Sequence, residues 1–219
     1  EDPRDAFVSP RYANLDELPA GAVLGTSSLR RQVLLQALRP DLRITPLRGN
    51  LDTRLRKLDE GQYDAIVLAA AGLKRLGLGA RLRSTFAPEA MLPAAGQGAL
   101  GIEVRSDRAD LIAALAPLAH TPTWLAVSAE RAVSRALGGS CSMPLAAHAR
   151  WTEGRLQLDA AWGDPEGRTP LVRASACAAV QSHAEAEVLG TQVAASLRAR
   201  GAVGGVAGFD VAGLPGNAA

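Results

Sequence analysis

The chain has 219 residues, of which 47% are hydrophobic and 21% charged, and its net charge is +2. These values are ordinary for a soluble globular protein that is long enough for one large domain or two modest ones. No apolar run approaches the ~18 residues that a membrane span needs, and two cysteines make no disulfide framework, so we expect a cytoplasmic protein.

The small net charge hides a basic segment. Residues 21–83 contain twelve Lys and Arg against five Asp and Glu, a local charge of +7, and the remainder therefore carries −5. This segment either faces an anion or is a basic helix surface without a binding role. The chain has three Trp, two Tyr and three Phe, and this scarcity of aromatic residues disfavours nucleic acid as the anion.

Short strands alternate with helices in the first third of the chain. Residues 21–25, 42–47 and 66–68 are strand-like, and each is followed by a helical pattern. Ser28 and Asn50 are residue types that cap helix N-termini. Strands that alternate with helices at this spacing predict a parallel sheet with right-handed crossovers.

The pattern changes in the second half. The Pro- and Gly-rich residues 86–101 predict a crossing segment, with one further strand at 100–104. Helices are predicted at 107–118, 122–137 and 182–200. Between the last two, three strand-like runs separated by TEG and GDPEG turns predict an antiparallel meander. The sequence thus predicts an α/β region and then a small α+β domain.

Basic residues follow each of the first three strands. Arg30 and Arg31 lie in GTSSLRRQ, Arg48 and Arg54 lie in LRGNLDTRL, and Arg75 lies in GLKRLG. Open α/β sheets bind ligands at the carboxyl ends of their strands, and helix N-termini favour anions. One such motif is equally typical of a surface Arg pair. Three on one sheet edge predict a pocket for several carboxylates or phosphates.

The two cysteines have different surroundings. Cys141 lies in the loop GGSCSMP, whose small residues indicate an accessible sulfur that could be a nucleophile or an attachment point. The alternative is that Cys141 is a buried small hydrophobe, as free cysteines commonly are. Cys177 lies among alanines in ASACAAV and is predicted to be buried and structural.

Two further motifs are rejected. GQGALG at 96–101 matches the dinucleotide fingerprint G-x-G-x-x-G, but no clear strand precedes it, and His120 stands where an acidic ribose partner is expected. The three histidines are isolated, and no Cys/His spacing resembles a zinc site, so no metal is predicted.

Five motifs in one order closely resemble the hydroxymethylbilane synthase (porphobilinogen deaminase) family: GTSSLRRQ, LRGNLDTRLRKLD, AAGLKRLG, LPAAGQGALGIEVR and GGSCSMP. The resemblance implies a transferase of tetrapyrrole biosynthesis that condenses four porphobilinogen molecules into hydroxymethylbilane and releases ammonia. It also implies a dipyrromethane cofactor attached through a thioether to Cys141. The implied enzyme is a monomer that binds neither nucleic acid nor a membrane.

The resemblance also assigns residues to the site. The set implied to bind substrate carboxylates and to assist deamination is Arg48, Arg54 and Arg75. The set implied to bind the cofactor is Cys141, Arg30, Arg31, Thr26, Ser28, Gln97 and Gly98. Each pyrrole ring carries an acetate and a propionate, which suit the bidentate donor geometry of arginine.

The family fold implied by the resemblance is α/β, with periplasmic-binding-protein-like parallel-sheet domains followed by a small α+β domain that has a three-stranded antiparallel sheet. Residues 1–93 would then be domain 2 with the arginine-rich cleft wall. Residues 94–119 would be the crossing segment and the returning part of a truncated domain 1. Residues 120–219 would be the C-terminal domain that carries the cysteine loop.

The chain departs from the family pattern at one point. The family's catalytic aspartate belongs to an N-terminal stretch that this chain does not contain, so one wall of the cleft is missing. Either the chain is a fragment that is inactive alone, or the missing part is supplied separately. The alternative function is a non-catalytic anion-binding module of periplasmic-binding-protein-like fold, in which Cys141 would be unmodified.

Overall fold

The computed structural model describes residues 1–139 and 143–203. Its strands are β1 (Asp5–Val8), β2 (Val23–Gly25), β3 (Arg43–Thr45), β4 (Ala65–Ala69), β5 (Ser84–Thr85), β6 (Leu145–Thr152), β7 (Arg155–Trp162) and β8 (Val172–Ala178). Its α-helices are α1 (Leu29–Leu38), α2 (Leu51–Asp59), α3 (Ala70–Arg75), α4 (Ala109–Leu115), α5 (Thr121–Ala136) and α6 (His183–Ala199). Short 3-10 helices lie at Gly79–Arg81 and Ala116–Leu118.

The first sheet has the strand order β3-β2-β4-β1-β5. Strand β2 is parallel to β3 and β4, as the alternation of strands and helices predicts. Strand β1, however, is antiparallel to both β4 and β5, so the sheet is mixed, and the predicted parallel arrangement holds for β2, β3 and β4 but not for the whole sheet. Four residues are too few to show a period, and the pairing of Asp5 with Ala69 is a long-range contact that local pattern does not contain.

Two helix starts agree with the sequence. The Ser28 side chain accepts a hydrogen bond from the Arg31 backbone N–H at the start of α1, and Asn50 accepts one from Thr53 at the start of α2. Capping of this kind is local, because donor and acceptor lie three residues apart. These caps fix where the two helices begin, and they place both N-termini just after β2 and β3.

The segment between the two sheets has no strand at 100–104, which contradicts the prediction. Leu100 and Ile102 are 70% and 54% exposed, and neither belongs to a sheet. Helix α4 and the 3-10 helix after it also expose apolar side chains, among them Ile112 and Leu118. Across the described ranges no single helix is long and apolar enough to span a membrane. One pair of consecutive helical segments, Ala109–Leu118 and Thr121–Ala136, reaches that length and apolarity together, but the two are bent by 110° relative to each other.

The second sheet confirms the predicted meander, with antiparallel order β6-β7-β8. Helices α5 and α6 pack on one of its faces and enclose a separate hydrophobic core. The two helices approach closely at Gly190, where an added Cβ would overlap the Ala129 carbonyl oxygen. Cys177 is exposed, so the prediction of a buried structural cysteine is wrong. Its neighbours Ala176 and Ala178 face the core, and strand alternation therefore turns Cys177 away from it.

The second sheet packs against the first through helix α1. Ala146 of β6 and Ala161 of β7 belong to the core beneath the first sheet. At the end of β7, an added Cβ on Gly163 would lie 2.7 Å from Val33 Cβ, so the backbone approaches α1 directly. The predicted domain boundaries at 93/94 and 119/120 stay a prediction.

Candidate functional site

An open cleft of about 320 Å³ lies at the carboxyl ends of β3 and β4. It is lined by Arg31, Gly49, Asn50, Leu51, Arg54, Leu68, Ala69, Gly72 and Leu76. Because β2, β3 and β4 run parallel, the segments after all three strands emerge at the same sheet edge. This is the edge at which the arginine motifs predict an anion pocket.

A buried ion cluster lies directly behind the cleft. The fully buried carboxylate of Asp5, on β1, accepts hydrogen bonds from Arg30 Nη1 at 2.7 Å and Nη2 at 3.1 Å. It also accepts from Arg31 Nε at 3.0 Å and Nη2 at 2.8 Å. A fifth bond comes from Gln97 Nε2 at 3.0 Å. One carboxylate thus binds two guanidinium groups from adjacent positions of α1.

The cluster carries an excess positive charge, because two guanidinium groups face one carboxylate. Burial alone would raise the pKa of Asp5, but Arg31 and Arg30 outweigh it and hold that pKa below the ordinary value of 3.8. Burial lowers the pKa of Arg31, and the charges of Arg30 and Arg54 act in the same direction, against the opposing effect of Asp5. Since arginine stays protonated in proteins, an anion in the cleft would relieve this repulsion.

Arg31 and Arg54 present free donors to the cleft. Arg31 Nη1 donates to the Val67 carbonyl at 3.2 Å, which leaves one N–H on each of its terminal nitrogens without an acceptor among residues 1–139 and 143–203. Arg54 donates through Nε to the Gly49 carbonyl at 2.8 Å, and neither of its terminal nitrogens has an acceptor in the same ranges. The cleft therefore offers guanidinium donors suited to a carboxylate.

Arg30 and Gln97 are occupied by protein groups instead. Besides Asp5, Arg30 Nη1 donates to the Leu92 carbonyl at 2.6 Å and Nη2 to Gln97 Oε1 at 3.2 Å. The second amide hydrogen of Gln97 goes to the Pro3 carbonyl. Gly98, at φ +86°, lies against the start of the chain, where an added Cβ would be 2.7 Å from the Glu1 carbonyl oxygen. The cofactor contacts predicted for these three residues stay predictions.

Thr26, Arg48 and Arg75 do not line the cleft. Thr26 is buried at the end of β2, and its hydroxyl accepts from the Ser28 backbone N–H at 3.2 Å. Arg48 and Arg75 are exposed, on the loop before α2 and at the end of α3. Cys141 lies outside the described residues.

Sequence reasoning missed Asp5 and Glu130. Asp5 directly precedes the short apolar run Ala6–Val8. That run was the one sequence feature that could have indicated a strand beginning at this aspartate. Buried Glu130 of α5 accepts from the backbone N–H groups of Gly96 at 2.6 Å and Ala149 at 2.7 Å. It thereby fixes the turn that carries Gln97 against the helix that precedes the cysteine loop.

Two family models match the chain. One, described as "Porphobilinogen deaminase, dipyromethane cofactor binding domain", matches residues 1–113. The other, described as "Porphobilinogen deaminase, C-terminal domain", matches residues 124–199. The chain belongs to the porphobilinogen deaminase family. Both the arginine-lined cleft and the Asp5 cluster lie in the part of the chain that matches the cofactor-binding model.

Relatives named porphobilinogen deaminase cover most of the chain. The protein from Albidiferax ferrireducens is 73% identical over 91% of this chain and 63% of its own length. The protein from Ralstonia nicotianae is 64% identical over 92% of this chain and 60% of its own length. The protein from Paraburkholderia phytofirmans is 60% identical over 93% of this chain and 59% of its own length. The chain therefore spans about three fifths of the length of these porphobilinogen deaminases.

Proposed function

We propose that the full-length form of this protein condenses four porphobilinogen molecules into hydroxymethylbilane with release of ammonia, using a dipyrromethane primer held through Cys141. Family membership supports this enzyme over a non-catalytic anion-binding module. The observation that carries the proposal is the cleft between Arg31 and Arg54, backed by a buried cluster with one excess positive charge. Monomeric state and cytoplasmic location stay predictions.

The donor set fits the proposed cofactor. A dipyrromethane carries acetate and propionate groups, which need several cationic donors close together. Arg31 and Arg54 are two such donors on one cleft, and the N-terminus of α2 adds a partial positive charge beside them. When bound, the dipyrromethane supplies the nucleophilic pyrrole carbon to which the first substrate is joined.

The remaining arginines act on incoming carboxylates in this proposal. Arg48 and Arg75 are exposed at the same sheet edge, so their guanidinium groups reach solvent where a charged substrate arrives. Long-range attraction raises the encounter rate of an anionic substrate with such an edge. Arg31 and Arg54 then fix its carboxylates by hydrogen bonds, while Asp5 and Gln97 hold the buried cluster in place.

Residues 94–119 are the returning part of a first, periplasmic-binding-protein-like domain in this proposal. Helix α4 exposes Leu111 and Ile112, and the 3-10 helix after it exposes Leu118. A seven-residue helix is too short to be stable alone in water, so an apolar surface must cover it. The part of the family sequence that this chain does not span supplies that surface.

Hydrogen–deuterium exchange tests this assignment. In the full-length protein the amides of residues 109–118 are expected to exchange much more slowly than in the 219-residue chain, because docking protects a helix that otherwise opens freely. The amides of α6 serve as the internal control and should exchange alike in both proteins. Equal exchange of residues 109–118 in the two proteins would contradict the assignment.

Intact-protein mass tests the proposed function. The full-length protein as purified is expected to carry the mass of one dipyrromethane and to colour with Ehrlich's aldehyde reagent. Cys141→Ser should lose both signals completely, because the thioether cannot form. Cys177→Ser is the matched control and should keep both, since it removes the exposed second thiol. An unmodified Cys141 in active protein would overturn the proposal.

A further inference from the structure

We infer that Asp5 is a positioning residue: its carboxylate aims the free N–H groups of Arg31 into the cleft between β3 and β4. The inference rests on the proposed function, because it concerns the same carboxylate-binding cleft. Asp5 does not line that cleft, and its effect on a ligand passes through Arg31. The proposed role therefore differs from that of a residue that touches the substrate.

The hydrogen bonds of Asp5 determine which side of Arg31 faces the cleft. Asp5 Oδ1 accepts from Arg31 Nε at 3.0 Å and from Nη2 at 2.8 Å, which is one edge of the planar guanidinium group. The Val67 carbonyl accepts from Nη1 at 3.2 Å. These three contacts fix the orientation of the guanidinium plane. The remaining N–H groups are one on Nη1 and one on Nη2, and the Arg31 side chain that carries them lines the cleft.

The same carboxylate is unsuited to proton transfer. Its two oxygens accept five hydrogen bonds from Arg30, Arg31 and Gln97, and the residue is fully buried. A general acid or base must reach the reacting group directly or through one water molecule. Asp5 has Arg31 between itself and the cleft, so it contributes geometry and not a proton.

Geometry and charge predict opposite effects of the substitution Asp5→Asn. The substitution removes one negative charge and leaves Arg30, Arg31 and Arg54 in place, so charge alone would strengthen the binding of an anion. An amide with its oxygen in the Oδ1 position, however, directs its N–H groups at Arg30 Nη1, and in the opposite orientation it directs them at Arg31. In either orientation Arg31 loses its charged acceptor and is held less firmly, because charge-assisted hydrogen bonds are about twice as strong as neutral ones. Positioning therefore predicts weaker binding in spite of the added positive charge, by about 10-fold or more, as for loss of a charged hydrogen bond.

Calorimetric titration with porphobilinogen measures whether Asp5→Asn raises or lowers the affinity. We would titrate the 219-residue chain and the full-length protein as wild type, Asp5→Asn and the control Asp41→Asn, scoring affinity per folded molecule from circular dichroism. Asp41 also pairs with an arginine through two hydrogen bonds, but at the surface and away from the cleft. We expect weaker binding for Asp5→Asn and nearly unchanged binding for Asp41→Asn. Equal or tighter binding by Asp5→Asn would overturn the inference.

A second variant keeps the test decisive if Asp5→Asn does not fold. Asp5→Glu preserves the charge and displaces the carboxylate by one methylene, so positioning again predicts weaker binding, whereas a charge effect predicts wild-type affinity. If neither variant folds, Asp5 is a structural residue and the inference is rejected. If wild-type protein of both lengths fails to bind porphobilinogen, the proposed function itself fails, and that result is distinct from any difference between variants.

Discussion

Asp5→Asn is expected to lower the free energy of unfolding by about 3–5 kcal/mol, which is typical when one partner of a buried ion pair is removed. The loss arises because Arg30 and Arg31 remain buried with two positive charges and no counter-ion. Urea unfolding of the 219-residue chain, followed by circular dichroism at pH 7, measures this difference. A change below about 1 kcal/mol would show that the cluster contributes little to stability.

The effect of Asp5→Asn should depend on pH with a definite sign. Arg31 and Arg30 hold the pKa of folded Asp5 below the ordinary value of 3.8 that the unfolded chain approaches. A carboxyl with a depressed pKa contributes its full stabilisation above pH 3.8 and loses it as the pH falls through the folded pKa. The difference in stability between wild type and Asp5→Asn should therefore be constant above that pH and shrink below it.

Asp41→Asn is the matched control for stability. Its ion pair with Arg39 lies at the protein surface, where solvent screens the charges. The substitution should change stability far less than Asp5→Asn at pH 7. An effect as large as that of Asp5→Asn would mean that burial of the cluster is not the source of its stabilisation.

Arg54→Met is expected to weaken the binding of porphobilinogen by about 10- to 100-fold, the effect of losing a charged hydrogen bond. Arg54 is half-buried on the cleft, and its one side-chain hydrogen bond within the described residues goes to the Gly49 carbonyl. The methionine keeps most of the apolar contact and removes the charge. Titration calorimetry of the folded variant measures the change in affinity.

Arg56→Met provides the control on the same helix. Arg56 lies two positions further along α2, is 67% exposed in its side chain and pairs with Glu60 at 3.3 Å. The substitution Arg56→Met removes one positive charge from the same helix at a position that does not line the cleft, so the affinity should stay close to that of wild type. Equal losses for Arg54→Met and Arg56→Met would indicate a diffuse charge effect in place of a defined site.

Local features of the fold could be predicted from the sequence. Ser28 and Asn50 cap α1 and α2 through contacts three residues away, and the turns of the antiparallel meander lie next to the strands they join. The parallel pairing of β2 with β3 and β4 could also be predicted from the sequence, because strands joined by helical crossovers can pair in only a few ways.

Long-range pairings could not be predicted in the same way. The four residues of β1 have no readable period, and their place between β4 and β5 depends on contacts with residues far along the chain. The contact of Asp5 with Arg30 and Arg31 follows from that pairing. The arginine motifs thus indicated a site for anions, but the buried carboxylate that pairs with Arg30 and Arg31 could be identified only from the tertiary structure.

A crystal structure of the full-length protein with bound porphobilinogen or its loaded primer tests the central claim most directly. We predict a ligand carboxylate within about 3 Å of a terminal nitrogen of both Arg31 and Arg54, at the carboxyl ends of β3 and β4. A ligand whose carboxylates all bind elsewhere, with solvent between these two guanidinium groups, would contradict it.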